Sequence, residues 1–246
     1  MGDIKFGVDQ PRFYRFWMKK DDLVPFEARI KETDLYIRAS SDLKKETMEA
    51  IERCRRPLEE FISLNPEFEK MLTPYPLSKG MAPIIRDMVL ATRKVGVGPM
   101  AAVAGAVADY VGRGLLKKCS EVIVENGGDI FLKVKRPVKI GIYAADSPFS
   151  SKLSFEIKPD QTPLGVCTSS GTVGPSLSFG SSDATIVLAK TATFADACAT
   201  AVGNLVKDES SVDKAVARAK RIRGLLGAVI IKGKKLGVWG KIEFVI

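Results

Sequence analysis

A continuous apolar run of strand length, ATIVLAK from Ala184 to Lys190, gives way within a few residues to helical spacing that begins just after Thr193. This strand, loop and helix order is the tightest constraint on what the chain can fold into. It lies in the segment from Leu164 to Gly203, where small, hydroxylic and conformationally special residues are concentrated beyond what packing needs, so the segment reads as a ligand site. Asp196 and Thr200 are four residues apart within it. On a helix that spacing sets a carboxylate and a hydroxyl on one face, near the end where backbone N–H groups are unpaired. Two hard oxygen donors so placed can hold a magnesium ion that also touches phosphate oxygens. Thr193 and Asp196 are equally ordinary N-cap and first-turn residues, and the residues alone leave both readings open.

The rest of the chain supplies short alternating strands and apolar-faced helices. YRFWMK around residue 16, FEARIKE after Pro25 and DLYIRAS after Thr33 alternate as half-buried antiparallel strands do. Ser41 and Asp42 can cap a helix with Leu43, Met48, Ile51, Leu58, Phe61 and Ile62 on one side, and Pro57 is expected to divide it in two. After the loop LTPYPLSKGMAP, helices are predicted over about 84–94 and 100–117. The second is so rich in alanine and glycine that another backbone can approach it closely. EVIVE and DIFLKV flank Asn126, Gly127 and Gly128 as a tight hairpin, and KIGIYAA is a further strand. Helices near 196–206 and 211–222 and strands AVII, LGVWG and IEFVI complete a mixed sheet covered by helices. With no linker and no repeat, the prediction is one continuous α+β domain over residues 1–246.

A net charge of +9 can attract an anionic nucleotide, but acids are interleaved with the basic pairs and no aromatic platform flanks a basic stripe, which argues against nucleic acid. The first residues lack a signal-peptide core, and the stretch from Val95 to Val111 is too short and too mixed to span a bilayer. A cytoplasmic protein is expected, with self-association left open. The four cysteines show no metal-binding spacing, and there is no histidine to complete a site. Cys119 and Cys167 read as small buried hydrophobes. Cys54, between Arg53 and Arg55–Arg56, is expected to be an exposed thiol of lowered pKa, and Cys198, near a helix start, is a second candidate.

The sequence TFADACATAV resembles the C-terminal signature of the ApbE superfamily, the FAD:protein FMN transferases, in which an aspartate and a threonine at this spacing hold the catalytic magnesium. Asp196 and Thr200 match those positions. GVGPMAAVAGAVADYVG (Gly96 to Gly112), EVIVENGGDIFLK (Glu121 to Lys133) and GVCTSSGTVG (Gly165 to Gly174) extend the likeness to a compact ApbE-like family whose members resemble the chain almost end to end. The resemblance implies a T-fold-like, mostly antiparallel sheet covered by helices. It also implies a nucleotide pocket lined by Gly127, Gly128 and Asp129, while Thr168, Ser169, Ser170 and Gly171 read by themselves as an anion-binding nest or simply a polar turn. The chain departs from the transferases in having Pro175 where they carry histidine, in lacking histidine altogether and in lacking their longer N-terminal region. An imidazole base is therefore excluded.

Two roles follow. In one, the protein is an accessory in sulfur assimilation and homocysteine biosynthesis, as the family association implies, with Cys54 or Cys198 carrying sulfur to a partner enzyme. In the other, it binds magnesium and a flavin nucleotide, as a transferase-like enzyme would.

Overall fold

The computed structural model describes residues 22–172 and 179–245. The strand expected around residue 16 and the proline at 175 lie outside them. An eight-stranded sheet, wholly antiparallel, takes the order β1-β2-β3-β4-β7-β8-β9-β10. Its strands are β1 (Val24–Ile30), β2 (Thr33–Ala39), β3 (Val122–Asn126), β4 (Asp129–Lys133), β7 (Leu164–Ser169), β8 (Ala184–Ala189), β9 (Leu225–Lys232) and β10 (Lys235–Gly240). A second, three-stranded sheet is formed by β5 (Val138–Gly141), β6 (Ser154–Ile157) and β11 (Phe244–Val245). The helices are α1 (Lys44–Leu64), α2 (Glu67–Lys70), α3 (Pro83–Val95), α4 (Val103–Leu115), α5 (Ala192–Gly203) and α6 (Val212–Arg221).

The period-two arrangement of side chains along the strands explains why ATIVLAK is apolar without a break. Val187 and Ala189 of β8 face the large core beneath the helices. Ala184, Ile186 and Leu188 face a second core shared with Phe155 and Ile157 of the small sheet. The large sheet is thus covered by helices on one face and by another sheet on the other, a layer that the sequence pattern did not announce. Val122 and Val124 against Ile123, and Phe131 against Leu132, divide between the two cores in the same way.

α1 runs unbroken through Pro57, correcting the expected division. The proline forfeits one backbone bond and costs about 3 kcal/mol. Thr47, Ala50, Ile51, Cys54 and Leu58 form one buried face on both sides of it. Burial of Ile51 and Leu58 alone, at about 1.5–3 kcal/mol each, offsets that cost. The N-cap is Leu43 rather than Ser41 or Asp42, and Asp42 Oδ1, one residue before it, accepts the Lys44 N–H at 3.0 Å.

α3 and α4 are joined by a short 3₁₀ turn, Pro99–Ala102, and their axes are bent by 103°. Taken together they match a membrane span in length and composition, but among the described residues no single helix is long and apolar enough to cross a membrane. Between β3 and β4, Gly127 and Gly128 have φ of 67° and 100°, and Asn126 pairs with Asp129. Two consecutive positive φ values are what a primed hairpin turn requires and glycine supplies.

Candidate functional site

α5 lies on β7 and β8 and against α4, close enough that neither partner tolerates a side chain at the contact. A Cβ on Gly105 of α4 would stand 2.3 Å from the Ala192 carbonyl oxygen, and one on Gly165 of β7 would stand 2.3 Å from the Ala192 nitrogen. This proximity lets each helix lend a carboxylate to the start of the other. Asp196 Oδ2 of α5 accepts the Gly105 N–H at 2.9 Å, in the first turn of α4. Asp109 Oδ2 of α4 accepts the Thr193 N–H at 2.8 Å and the Thr193 hydroxyl at 2.7 Å, in the first turn of α5. Unpaired N–H groups at both helix starts are thereby satisfied across the interface.

These contacts correct the capping assignment. Thr191, not Thr193, is the N-cap of α5, its side chain accepting from the Phe194 N–H at 3.2 Å. Asp196 lies beyond the first turn of its own helix and serves the N-terminus of α4 instead. Asp109 escaped sequence reading, although a lone carboxylate within a run of alanine, glycine and valine is a visible anomaly.

Asp129, the first residue of β4, lies near enough to Asp196 for their charges to interact. Its Oδ1 accepts the Thr168 N–H at 3.3 Å, and the preceding Gly128 donates its N–H to Glu125 Oε1 at 2.8 Å. Burial, and then the negative charge of Asp196, push the Asp129 carboxyl well above the usual carboxylate range. Burial raises Asp196 to about 7 against the opposing bonds from Gly105 and Ala104. The Cys167 thiol, buried and facing both carboxylates, is raised well above its ordinary value by burial first. The turn glycines Gly127 and Gly128, Asp129 and Asp196 thus meet at one place, where the β3–β4 turn approaches the start of α4. Thr200 follows Asp196 by one turn on the same face of α5 and is half-buried. Among the described residues no three histidine, cysteine, aspartate or glutamate side chains are grouped to hold a metal ion. Any cation here would depend on two carboxylates, a hydroxyl and the ligand's own oxygens.

The polar segment after β7 is occupied with its own structure. The Gly171 N–H donates to the Ser182 carbonyl at 2.9 Å, and a Cβ on Gly171 would stand 2.1 Å from the Gly180 carbonyl oxygen. The Ser170 hydroxyl lies 3.3 Å from the Ser182 carbonyl and accepts the Thr172 N–H at 3.1 Å. The polar-turn reading accounts for both residues. Ser169 differs, since its Oγ would lie 3.5 Å from a Cβ placed on Gly203, near the end of α5.

The activated thiols are corrected outright. Cys54 is buried on α1, and burial pushes it up to about 11 against the small opposing effect of Arg53. The neighbouring Arg55 is spent on Glu32, Glu59 and Thr33. Cys198 is fully buried and raised to about 12 by burial. Cys119, expected to be buried, is half-buried and donates to the Leu115 carbonyl.

A separate cleft opens elsewhere, between α1, α3, the C-terminal half of α4 and the start of α5. It does not include Asp129, Asp196 or Thr200.

The fold aligns with solved flavin transferases. The Flavin Transferase ApbE from Vibrio cholerae superposes with a TM-score of 0.60 over 88% of this chain and 96% of that one, at 13% identity. The ApbE protein from Thermotoga maritima gives 0.55 over 89% and 96%, at 14% identity. The α+β architecture and its antiparallel sheet are those of the ApbE-like flavin transferases. Sequence relatives are much nearer. The UPF0280 protein of Methanocella arvoryzae is 41% identical over 219 residues, 89% of each chain. The UPF0280 protein of Methanocaldococcus jannaschii is 37% identical over 232 residues, 92% of each. A family model described as "AbpE bacteria" matches residues 15–234, and the chain belongs to that family, together with these UPF0280 relatives.

Proposed function

We propose that this protein binds a flavin nucleotide together with a divalent cation, as a flavin-transferase-like protein, at the meeting point of the β3–β4 turn, α4 and α5. The observation that carries this reading is the adjacency of Asp129 and Asp196. Both are buried, both are raised, and one raises the other. Two carboxylates side by side without a cationic partner are unfavourable unless they share a proton or a hard cation. The donor chemistry therefore fits a magnesium ion, which keeps several ligand positions for water and phosphate oxygens and takes only one or two carboxylates from a protein. Asp196 and Thr200 would hold the ion, which when bound supplies charge neutralisation at a diphosphate.

The chain's own residues provide the rest. Gly127 and Gly128 present backbone without side chains, so a ligand can approach closely. Asp129 fixes the C-terminal end of β7 through the Thr168 N–H. Ser169 offers a hydroxyl at the far side of α5, while Ser170 and Gly171 position the loop that follows. With no histidine in the chain, a carboxylate is a candidate for proton transfer, and Asp196, raised to about 7 by burial, can hold or release a proton near neutrality when no cation is bound. The sulfur-carrier alternative has no comparable support, since Cys54 and Cys198 are buried and their thiols are held protonated.

The test is a fluorescence titration of FAD into the purified protein with and without magnesium, repeated on Asp196→Ala. Magnesium-dependent binding that the variant loses supports the reading. Binding that ignores both magnesium and the variant overturns it.

A further inference from the structure

The large cleft that excludes Asp196 has a chemistry of its own. Its volume is about 720 Å³, within the range of about 300–1,000 Å³ that holds small molecules. Four cationic side chains from three helices converge on it: Arg53 of α1, Lys94 of α3, and Arg113 and Lys117 in and just after α4. The acids on its walls are already engaged. Asp87 accepts the Tyr110 hydroxyl at 2.8 Å, and Asp109 Oδ2 is taken by Thr193. Among the described residues Lys94 and Lys117 make no ion pair with a carboxylate, and Arg53 reaches only Glu49, at 3.8 Å on the exposed face of α1. Lys94 is instead held over the Phe194 ring at 5.0 Å, which positions it without neutralising it, while Arg113 lies over Phe131 at 5.5 Å and makes a long ion pair with Asp109 at 3.9 Å.

Beneath these cations, Asp109 Oδ1 is buried and has no hydrogen-bond partner, and the nearest Arg113 nitrogen is 3.9 Å away. A buried acceptor left open on a cleft wall fits a ligand that brings a hydroxyl or N–H donor. Ala50, Leu90 and Ala91 supply an apolar wall beside it. An anion alone would use the cations and waste the rest. A ligand combining phosphate, hydroxyls and a flat apolar ring uses all three.

We propose that this cleft is a second binding site, separate from the Asp129–Asp196 site, for a mononucleotide-sized phosphorylated ring compound. Arg53, Lys94, Arg113 and Lys117 take its phosphate, Asp109 takes a sugar hydroxyl, and the apolar wall takes the ring.

The test is calorimetric titration of the full chain with AMP, and separately with inorganic phosphate and with adenosine. AMP is expected to bind at least tenfold more tightly than either fragment. Lys94→Glu combined with Lys117→Glu should weaken AMP at least tenfold, and both positions are exposed, so the melting midpoint should stay near that of the parent. Lys117→Gln alone should weaken it less. Asp196→Ala should leave AMP binding at this cleft unchanged, which separates failure here from failure of the flavin reading. The proposal is overturned if AMP does not bind at millimolar concentration, if phosphate alone binds as tightly, or if Asp196→Ala abolishes binding that the double lysine variant keeps.

Discussion

Asp109 and Thr193, far apart in sequence, make a double hydrogen bond in which one carboxylate oxygen accepts both the backbone N–H at 2.8 Å and the hydroxyl at 2.7 Å. With the Asp196–Gly105 bond it ties the first turn of each helix to the second turn of the other. Neither helix start is complete without the other. The candidate site is therefore built on a helix pair whose alignment is fixed by side chains that cap their neighbour.

Removing this cap has a predictable cost. Asp109→Ala leaves two donors of Thr193 without their acceptor in a buried place and should destabilise the protein by about 2 to 3 kcal/mol. Thr193→Val, which keeps the backbone bond, should cost about 1 kcal/mol. Urea denaturation of the two variants measures both. A value for Asp109→Ala within about 0.5 kcal/mol of the parent would mean that the Thr193 donors find another acceptor and that the cap contributes little.

The same carboxylate carries a pH dependence of definite sign. Burial raises Asp109 above its ordinary value, only partly opposed by Thr193, Ala192 and Arg113. The folded state thus binds its proton more tightly than the unfolded state does. The stability associated with Asp109 is fully present below the unfolded value of about 3.9 and is lost as pH rises through the raised folded value. Asp109→Asn lacks this titration. The stability of the parent relative to Asp109→Asn should therefore fall as pH is raised from about 4 towards neutrality. Melting midpoints in parallel buffers give the difference, and a parent midpoint that rises relative to Asp109→Asn as pH is raised contradicts the assignment.

How far the sequence disclosed this arrangement depends on the range of each contact. The hairpin at Gly127–Gly128, the apolar run of β8 and most of the other strands and helices are local patterns legible from residue spacing, whereas β6 and β7 do not stand out from it. That β8 is apolar because two cores meet across it is not local, since the small sheet of β5, β6 and β11 gathers segments from distant parts of the chain. The same holds for the caps. Thr193 followed by Asp196 matches a helix start, yet the true partners, Asp109 and Gly105, come from another helix. Cys54 fails for a related reason. Three neighbouring arginines are visible in sequence, but burial of the thiol comes from the packing of α1 against other elements, α4 foremost, and burial outweighs the opposing charge of Arg53. Pro57 likewise reads as a break until the face it interrupts is seen to be anchored on both sides.

Glycine substitutions within one helix test the helix contact directly. Gly105→Ala places a Cβ 2.3 Å from the Ala192 carbonyl and 2.7 Å from Asp196 Cβ, both parts of a rigid neighbour. Destabilisation of about 2 kcal/mol or more is expected, as for overpacking that forces a backbone shift. Gly114→Ala, in the same helix, meets only the Ala50 Cβ at 4.0 Å and should be neutral or stabilise by up to about 1 kcal/mol. Equal effects at the two positions would contradict the close approach of α5 to the start of α4.

Thiol reactivity should follow burial rather than neighbouring charge. Cys119 is half-buried, whereas Cys54 is only 4% exposed and is raised to about 11. Brief alkylation of the native protein near pH 8 should label Cys119 ahead of Cys54, because the thiolate is the reacting species. Mass spectrometry of the peptides reads the order. Faster labelling of Cys54 would restore the arginine-activated thiol.

The paired carboxylates lead to a trade of stability against binding. Asp129→Asn keeps an oxygen to accept the Thr168 N–H but removes one of two adjoining buried acids. Without a cation, the variant loses both the cost of burying that charge and its repulsion with Asp196, so it should be more stable than the parent by about 1 kcal/mol or more. With magnesium and FAD present the order should reverse, because the parent gains stability from a ligand that binds the folded state and the variant gains less. Thermal melts with and without both additives supply the four values. If the pair exists only to complete the fold, Asp129→Asn destabilises in both conditions and the additives shift neither protein. A variant that is stabilised alone and no longer stabilised by magnesium and FAD identifies the adjacency of Asp129 and Asp196 as strain retained for binding, since a carboxylate pair kept only for packing would gain nothing from a cation.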